Sequence, residues 1–180
     1  MRELPNLFLF IIFMYFYYFY TLFTAPGVMV HELAHAIFCV FAGVKVYRIK
    51  LFGFGQTAGF VQHDEPTKFY QSFLISIGPL LINSFLAMVL FSRFKMPYLT
   101  WQPWVLLWLG FAIGMHAIPS SQDAKSLFQA ANHRFLHNPL VVIAYPFILL
   151  LYILYLLKKF HIDILFVGVL FWLGNIYLMK

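Results

Sequence analysis

The sequence predicts an all-α polytopic membrane protein, with about six transmembrane helices and a small β-hairpin between the second helix and the next span. Of its 180 residues, 63% are hydrophobic and only 10% are charged, whereas soluble domains carry about 25% charged residues. The mean hydropathy is +0.83. Each helical span needs about 20 apolar residues, so five or six spans with short connections would use up the chain. We therefore expect a single membrane-embedded domain over residues 1–180.

The first apolar run covers residues 5–23 and is rich in Phe and Tyr. Pro26 and Gly27 interrupt it, and proline suits the first turn of a new helix. From residue 5 to residue 42, one continuous helix would be about 55 Å long at 1.5 Å per residue, which exceeds a bilayer core of about 30 Å. We therefore predict a second helix over about 26–42, with one long kinked span as the alternative.

This second helix carries His31-Glu32-Leu33-Ala34-His35, an HExxH pattern. Two histidines four apart lie on one helix face, where both imidazoles can bind one metal ion. A catalytic zinc takes three protein ligands and leaves a fourth position open. Glu32 follows the first histidine directly, so its carboxylate can take a proton from water without occupying the metal. Ionisable side chains at membrane depth are costly and are usually functional, which favours a metalloenzyme over histidines that merely pack in a core.

The segment after Gly43 changes from helical to alternating periodicity. Residues 44–51 interleave apolar with basic or polar side chains, as a half-buried strand does. A second strand over 58–62 would complete a hairpin. The next predicted span is 68–92, with Gly78-Pro79 in its middle and Asn83 one turn later. That combination predicts close packing against another helix and a polar contact.

Residues 101–118 form the following predicted span, which ends in HAIPSSQD. Pro119 removes a helical hydrogen bond, and Ser120 or Ser121 can cap a short helix that starts near Asp123. Unwound backbone at membrane depth is permitted where it lines a wet cavity, as an active site would. Two final spans are expected over 140–157 and 162–179.

Three further groups could in principle bind metal. Cys39 lies one turn beyond His35, but lone cysteines are usually buried packing residues. The His63-Asp64-Glu65 segment is more typical of a solvated turn. His133 and His137 repeat the HxxxH spacing without a following Glu, within a polar segment over 125–138 that we expect to be a solvated loop.

Taken together, these motifs resemble the site-2 protease family of intramembrane zinc metalloproteases, over about residues 20–128. HELAH matches the family's first zinc motif, and AGVKVYRIKLFGFG resembles its strand and G-x-G loop. Gly78-Pro79 with Asn83 resembles a GPxxN motif, with the asparagine one residue late. HAIPSSQD resembles the family's NxxPxP…LDG segment, with His116 at the usual asparagine and Ala124-Lys125 in place of glycines. These departures are typical of a divergent branch.

The resemblance implies a Zn²⁺ site made by His31, His35 and Asp123. Asp123 is also favoured because the other carboxylates apart from Glu32 sit in connections or at the terminus. Glu32 would be the general base, and His116 or Asn83 would steady the oxyanion. The implied substrate is a membrane-spanning or membrane-associated protein or peptide. The strand near 44–51 would hold its unwound segment by pairing along one edge.

The distribution of basic residues predicts the orientation of a multi-pass protein in the cell membrane. Because the 12 Lys and Arg residues lie mainly between apolar runs, they indicate topology rather than nucleic-acid binding. With loop 44–67 in the cytoplasm, the site opens toward the cytoplasmic side. Lys125 then falls inside, whereas Arg93, Lys158 and Lys159 fall outside.

Two other functions stay open at this point. A non-enzymatic zinc-binding membrane protein, such as a metal transporter or an assembly scaffold, would also place ionisable residues in the membrane. A catalytically inactive scaffold with the same fold is the other possibility. The sequence does not predict the oligomeric state or the identity of the substrate.

Overall fold

The computed structural model describes residues 4–55, 57–94, 100–136 and 138–178, with side chains from residue 9. It is mostly helical, with 75% of residues in helices and one small antiparallel sheet. This confirms the predicted helical fold with a hairpin between the HExxH helix and the next span. The helices are α1 (Leu4–Phe23), α2 (Ala25–Phe41), α3 (Phe69–Ser92), α4 (Gln102–Met115), α5 (Ser121–Arg134), α6 (Pro139–Leu157) and α7 (Ile162–Tyr177), and a 3₁₀ turn, Lys158–Phe160, joins the last two.

Fewer helices than predicted could each cross a bilayer alone. Within the described ranges, α3 and the helix that starts at Pro139 are long and apolar enough, and the α1–α2 pair makes a third span if it is counted as one. Helices α4 and α7 have 14 and 16 residues, which at 1.5 Å per residue is about 21 and 24 Å. They are apolar but shorter than a bilayer core of about 30 Å. The structure therefore supports two or three spans rather than six.

Helices α1 and α2 meet at Thr24 with a bend of 55°. Pro26 lies in the first turn of α2, where its missing N–H costs no helical hydrogen bond. The indole N–H of Trp108 on α4 donates to the Phe23 carbonyl at the end of α1 (3.0 Å). The predicted division into two helices is confirmed, and the bend lets α2 turn into the helical core while α1 remains largely exposed.

The hairpin consists of β1 (Val46–Lys50) and β2 (Phe60–His63). The strands are antiparallel, with Lys50 opposite Phe60 and a bulge between Val46 and Arg48. Both lie within about two residues of the predicted strands. At the base of the hairpin the Tyr47 hydroxyl donates to the Asp64 carboxylate (2.6 Å), and this hydrogen bond raises the pKa of Tyr47 above its ordinary value.

The segment after Pro119 is a helix where the sequence suggested mainly a loop. Ser120 caps α5: its hydroxyl accepts from the Asp123 N–H (3.2 Å), and its own N–H donates to the Asp123 carboxylate (3.0 Å). The predicted cap is thus confirmed, but a solvated loop over 125–138 is wrong as far as Arg134. Because buried Leu127 and Ala131 pack against α6, tertiary contact stabilises a helix whose composition is polar.

Asn83 joins the three helices of the core. Its amide nitrogen donates to the carbonyls of Gly27 on α2 (3.2 Å) and Ile113 on α4 (3.1 Å). A Cβ at Gly27 would collide with the Ala112 carbonyl, so glycine is required for α2 and α4 to approach so closely. The polar contact and close packing predicted around Gly78-Pro79 and Asn83 are both present, since Gly78 lies against the Phe38 ring.

The last two helices pack on different parts of the fold. Helix α6 packs against α5, whereas Val167 and Leu170 of α7 pack against α3 and α4. The 3₁₀ turn between them brings Lys158 to the Ile118 carbonyl, with Nζ–O at 3.0 Å. Lys158 therefore lines the same cavity as Asp123, a proximity that the sequence did not predict. Helices α5 and α6 form a hairpin, so the end of α6 lies next to the segment that precedes α5.

Candidate metal centre

The two HExxH histidines face one point from adjacent turns of α2. The Nε2 atoms of His31 and His35 are 3.2 Å apart, and both residues are buried. The helix produces this arrangement by itself, because residues four apart lie one above the other on the same face. The ring positions, however, are set by contacts to other helices.

Backbone carbonyls orient both imidazole rings. The Nδ1 atom of His31 is 2.7 Å from the His116 carbonyl at the end of α4, and the Nδ1 atom of His35 is 3.0 Å from the Ile75 carbonyl of α3. Since a carbonyl oxygen only accepts, each Nδ1 must carry the hydrogen. The neutral ring then has its lone pair on Nε2, so both lone pairs point into the same space. This is the orientation that carbonyl partners give to metal-binding histidines.

Asp123 completes the cluster from the first turn of α5. Its two carboxylate oxygens lie 3.2 Å from the His35 Nε2 and 3.4 Å from the His31 Nε2. The capping box that starts α5 holds the Asp123 carboxylate in this position.

The spacing of these three donors fits a metal ion. Ligand atoms of His31, His35 and Asp123 all lie within 4.8 Å of one another. Tetrahedral zinc with bonds of about 2.05 Å would separate two ligand atoms by about 3.3 Å, close to the distances found. Without a cation, two Nε2 lone pairs at 3.2 Å would repel each other. The donor set therefore requires a positive charge, either a proton or a metal ion, between the rings.

A cavity of about 960 Å³ opens in front of the cluster. It is lined by Glu32, by residues 57–61 leading into β2, and by a polar stripe of α5 consisting of Ser126, Gln129 and His133. Those α5 positions lie three or four residues apart and so share one helix face. The cluster is thus next to a space of mixed polar and apolar lining that is large enough for water and an extended peptide.

Gly59 leaves room for Glu32. A Cβ at this position would lie 2.6 Å from the Glu32 Cγ and 3.0 Å from the carbonyl oxygens of Lys50 and Leu51. The backbone before β2 therefore approaches Glu32 more closely than any side chain would allow. Gly59 lies within the predicted second strand over 58–62, and its relation to Glu32 requires the fold.

We expect Gly59→Ala to displace Glu32 while leaving the three candidate ligands in place. The hydrolytic activity that the HExxH pattern predicts should fall by about 10- to 100-fold, because misplacing a reacting group by about 1 Å has a cost of this order, and metal binding should be unchanged. Cleavage assays and metal analysis of the purified variant test this. Gly168→Ala is the matched control, because a Cβ there meets nothing within 4 Å. Equal activity of the two variants would contradict the assignment.

His116 lies beside the cluster, but it contacts His31 through its backbone carbonyl. Its carbonyl accepts from His31, and its ring lines the cavity with a buried Nε2 that has no hydrogen-bond partner among the described residues. Asn83 is elsewhere: its amide nitrogen is occupied by two carbonyls, and the cavity lining does not include it. Of the two predicted oxyanion donors, geometry keeps only His116 next to the cavity.

The other candidate ligands stay apart from the cluster. Cys39 is fully buried and packs with Ala42, Val44 and Ile75. His63, Glu65 and His133 line the cavity, yet within the described part of the chain they do not join the three metal-binding groups. His137 lies outside the described residues. Lys158 also lines the cavity, and no sequence pattern pointed to it.

Comparisons with protein-family models, curated proteins and solved structures gave no match to this chain. Its function must therefore be inferred from the geometry and chemistry of this site.

Proposed function

We propose that this protein is a membrane-embedded zinc metallopeptidase and a divergent member of the site-2 protease family. The observation that carries the proposal is the meeting of His31, His35 and Asp123, from helices far apart in sequence, around one point. Two histidines and one carboxylate form a known hydrolytic zinc set. Glu32 lines the same cavity, and a metal with a purely structural role would not need a carboxylate there.

The residues divide the chemistry between them. Bound zinc would polarise a water molecule and the scissile carbonyl. Glu32 takes a proton from the attacking water and then gives it to the departing amine nitrogen. The carbonyls of His116 and Ile75 keep the two imidazoles in the tautomer that presents Nε2 to the cluster. The polar side chains of α5 that line the cavity would admit water to the site.

The substrate would be an extended segment of a membrane-spanning or membrane-associated protein. A helical peptide bond has its carbonyl already engaged, so the segment must unwind before attack. Residues 57–61, rather than β1, line the cavity. In the described two-stranded sheet, β2 has one edge that is not paired with β1. We therefore propose that the substrate backbone pairs with β2 and not with the strand near 44–51.

We place the protein in the cell membrane as a multi-pass protein, with the cavity opening to the cytoplasm. Helix α3, α6 and the bent α1–α2 pair supply the spans, and the shorter apolar helices α4 and α7 pack against α3. The hairpin carries Lys45, Arg48 and Lys50, and Arg134 at the end of α5 lines the cavity. This excess of basic residues around one opening is typical of the cytoplasmic side.

Metal analysis combined with a cleavage assay tests the function. Purified wild-type protein should contain about one zinc ion and should cleave membrane-spanning peptides in detergent or vesicles. Asp123→Ala removes one of three ligands, so zinc affinity should fall at least about 100-fold, and cleavage should disappear at limiting zinc. Asp163→Ala is the control, because Asp163 lies in the first turn of α7 outside the cluster.

The outcomes separate the alternatives. Zinc bound without cleavage of any membrane peptide would favour an inactive or scaffolding protein. Zinc carried across sealed vesicles would favour a transporter. Wild-type affinity in Asp123→Ala would contradict the metal centre itself.

A further inference from the structure

Lys158 contacts the backbone segment that leads into the metal centre. It lies in the 3₁₀ turn between α6 and α7, and its Nζ donates to the carbonyl oxygens of Ile118 (3.0 Å) and Pro119 (3.5 Å). Its side chain lines the same cavity as Glu32 and Asp123. The neighbouring Lys159 is exposed and makes none of these contacts.

The two carbonyls belong to the short non-helical segment between α4 and α5. Ile118 is fully buried, and Pro119 follows it with no N–H to continue a helical ladder. A buried carbonyl that lacks a hydrogen-bond partner destabilises the fold. The ammonium of Lys158, in a turn 40 residues away in sequence, donates a hydrogen bond to the Ile118 carbonyl.

The same segment presents two parts of the cluster. At its start, the His116 carbonyl accepts from the Nδ1 of His31; at its end, Ser120 caps α5 and holds the Asp123 carboxylate. Ile118 lies between these two points, so the Lys158 hydrogen bond holds the middle of the segment. Releasing it would let the His116 carbonyl and Asp123 move relative to each other.

We propose that Lys158 is a positioning residue for the metal centre, holding segment 116–120 so that His31 and Asp123 face the same ion. The inference rests on the proposed metal site and gives the C-terminal helices a part in it. Groups that orient metal ligands typically change affinity by about 10- to 100-fold when removed.

Metal affinity provides a test that does not depend on cleavage. We expect Lys158→Met, which keeps the apolar stem but removes the donors, to weaken Zn²⁺ binding about 10- to 100-fold and to alter the Co²⁺ absorption spectrum. Lys158→Arg, which retains N–H donors, should restore most of the affinity. Lys159→Met is the matched control and should bind as wild type does. Wild-type affinity and an unchanged Co²⁺ spectrum in Lys158→Met would overturn the proposal.

Hydrogen exchange separates local from global effects and covers a variant that folds poorly. In metal-free protein, Lys158→Gln and Lys158→Met should increase exchange of the amides from Ala117 to Ala124, while the interior of α3 stays protected. A positioning role would be contradicted if exchange increased throughout α3, or if it did not increase in segment 117–124. Wild-type protein that binds no zinc would instead overturn the proposed function, so the two failures are distinguishable.

Discussion

Glu32→Gln should abolish peptide cleavage while leaving a full complement of zinc. The substitution keeps the size of the side chain and removes only its ability to accept and return a proton. General acid–base catalysis contributes about 10²–10⁴-fold, so we expect a fall in kcat of about 1,000-fold, or about 4 kcal/mol of activation free energy. Glu32 is not among the three clustered ligands, which is why metal content should not change.

Single-turnover cleavage of a membrane-spanning peptide, with zinc measured on the same sample, checks this result. Glu65→Gln is a suitable control, because Glu65 is a second carboxylate that lines the cavity but is distant from the HExxH motif in sequence. Normal cleavage by the Glu32→Gln protein would exclude the proposed mechanism. Loss of zinc in that variant would instead make Glu32 a ligand.

His35→Ala should remove both the metal and the stabilisation that the metal provides. The imidazole is buried, donates to the Ile75 carbonyl and faces both His31 and Asp123. Its loss deletes a ligand and leaves that carbonyl without its partner. In wild-type protein, free zinc at 1,000 times its Kd should raise the free energy of unfolding by about 4 kcal/mol, whereas His35→Ala should show almost no response.

Thermal or denaturant unfolding with and without zinc, in a fixed detergent, measures this difference. Cys39→Ala is the matched control, since it alters a buried side chain one turn further along the same helix. It should be destabilised through packing but should keep the zinc response. A zinc response of wild-type size in His35→Ala would show that the stabilising ion binds elsewhere.

Local sequence patterns predicted the elements on which the site is built. HExxH requires only a helix to align two imidazoles, and the alternation after Gly43 indicated a hairpin that the structure contains. Ser120 and Asp123 signalled the start of a helix, because a capping box depends on residues three apart. Each of these signals acts within about one turn, so it can be read without knowledge of the fold.

The polar composition of α5 led to an incorrect loop prediction, because the contacts that stabilise this helix are not local in sequence. Its Asp, Lys, Gln, Asn, His and Arg side chains suggested a solvated loop, yet one face of the helix carries Ala124, Leu127 and Ala131, which are buried. The other face lines the cavity, so a polar composition is compatible with a packed helix. That division needs a partner helix on one side and a cavity on the other, and neither is visible in a local window.

The sequence by itself determined the chemical inventory: two imidazoles on one turn, a carboxylate beside them, and a second carboxylate at a helix cap. Only the tertiary structure decided which groups meet. It placed Asp123 against both rings, assigned Asn83 to helix packing, and brought Lys158 to the segment that carries the site. The physical reason is that hydrogen-bond and ligand geometry depends on distances of about 3 Å between residues tens of positions apart, and those distances follow from helix packing rather than from local propensity.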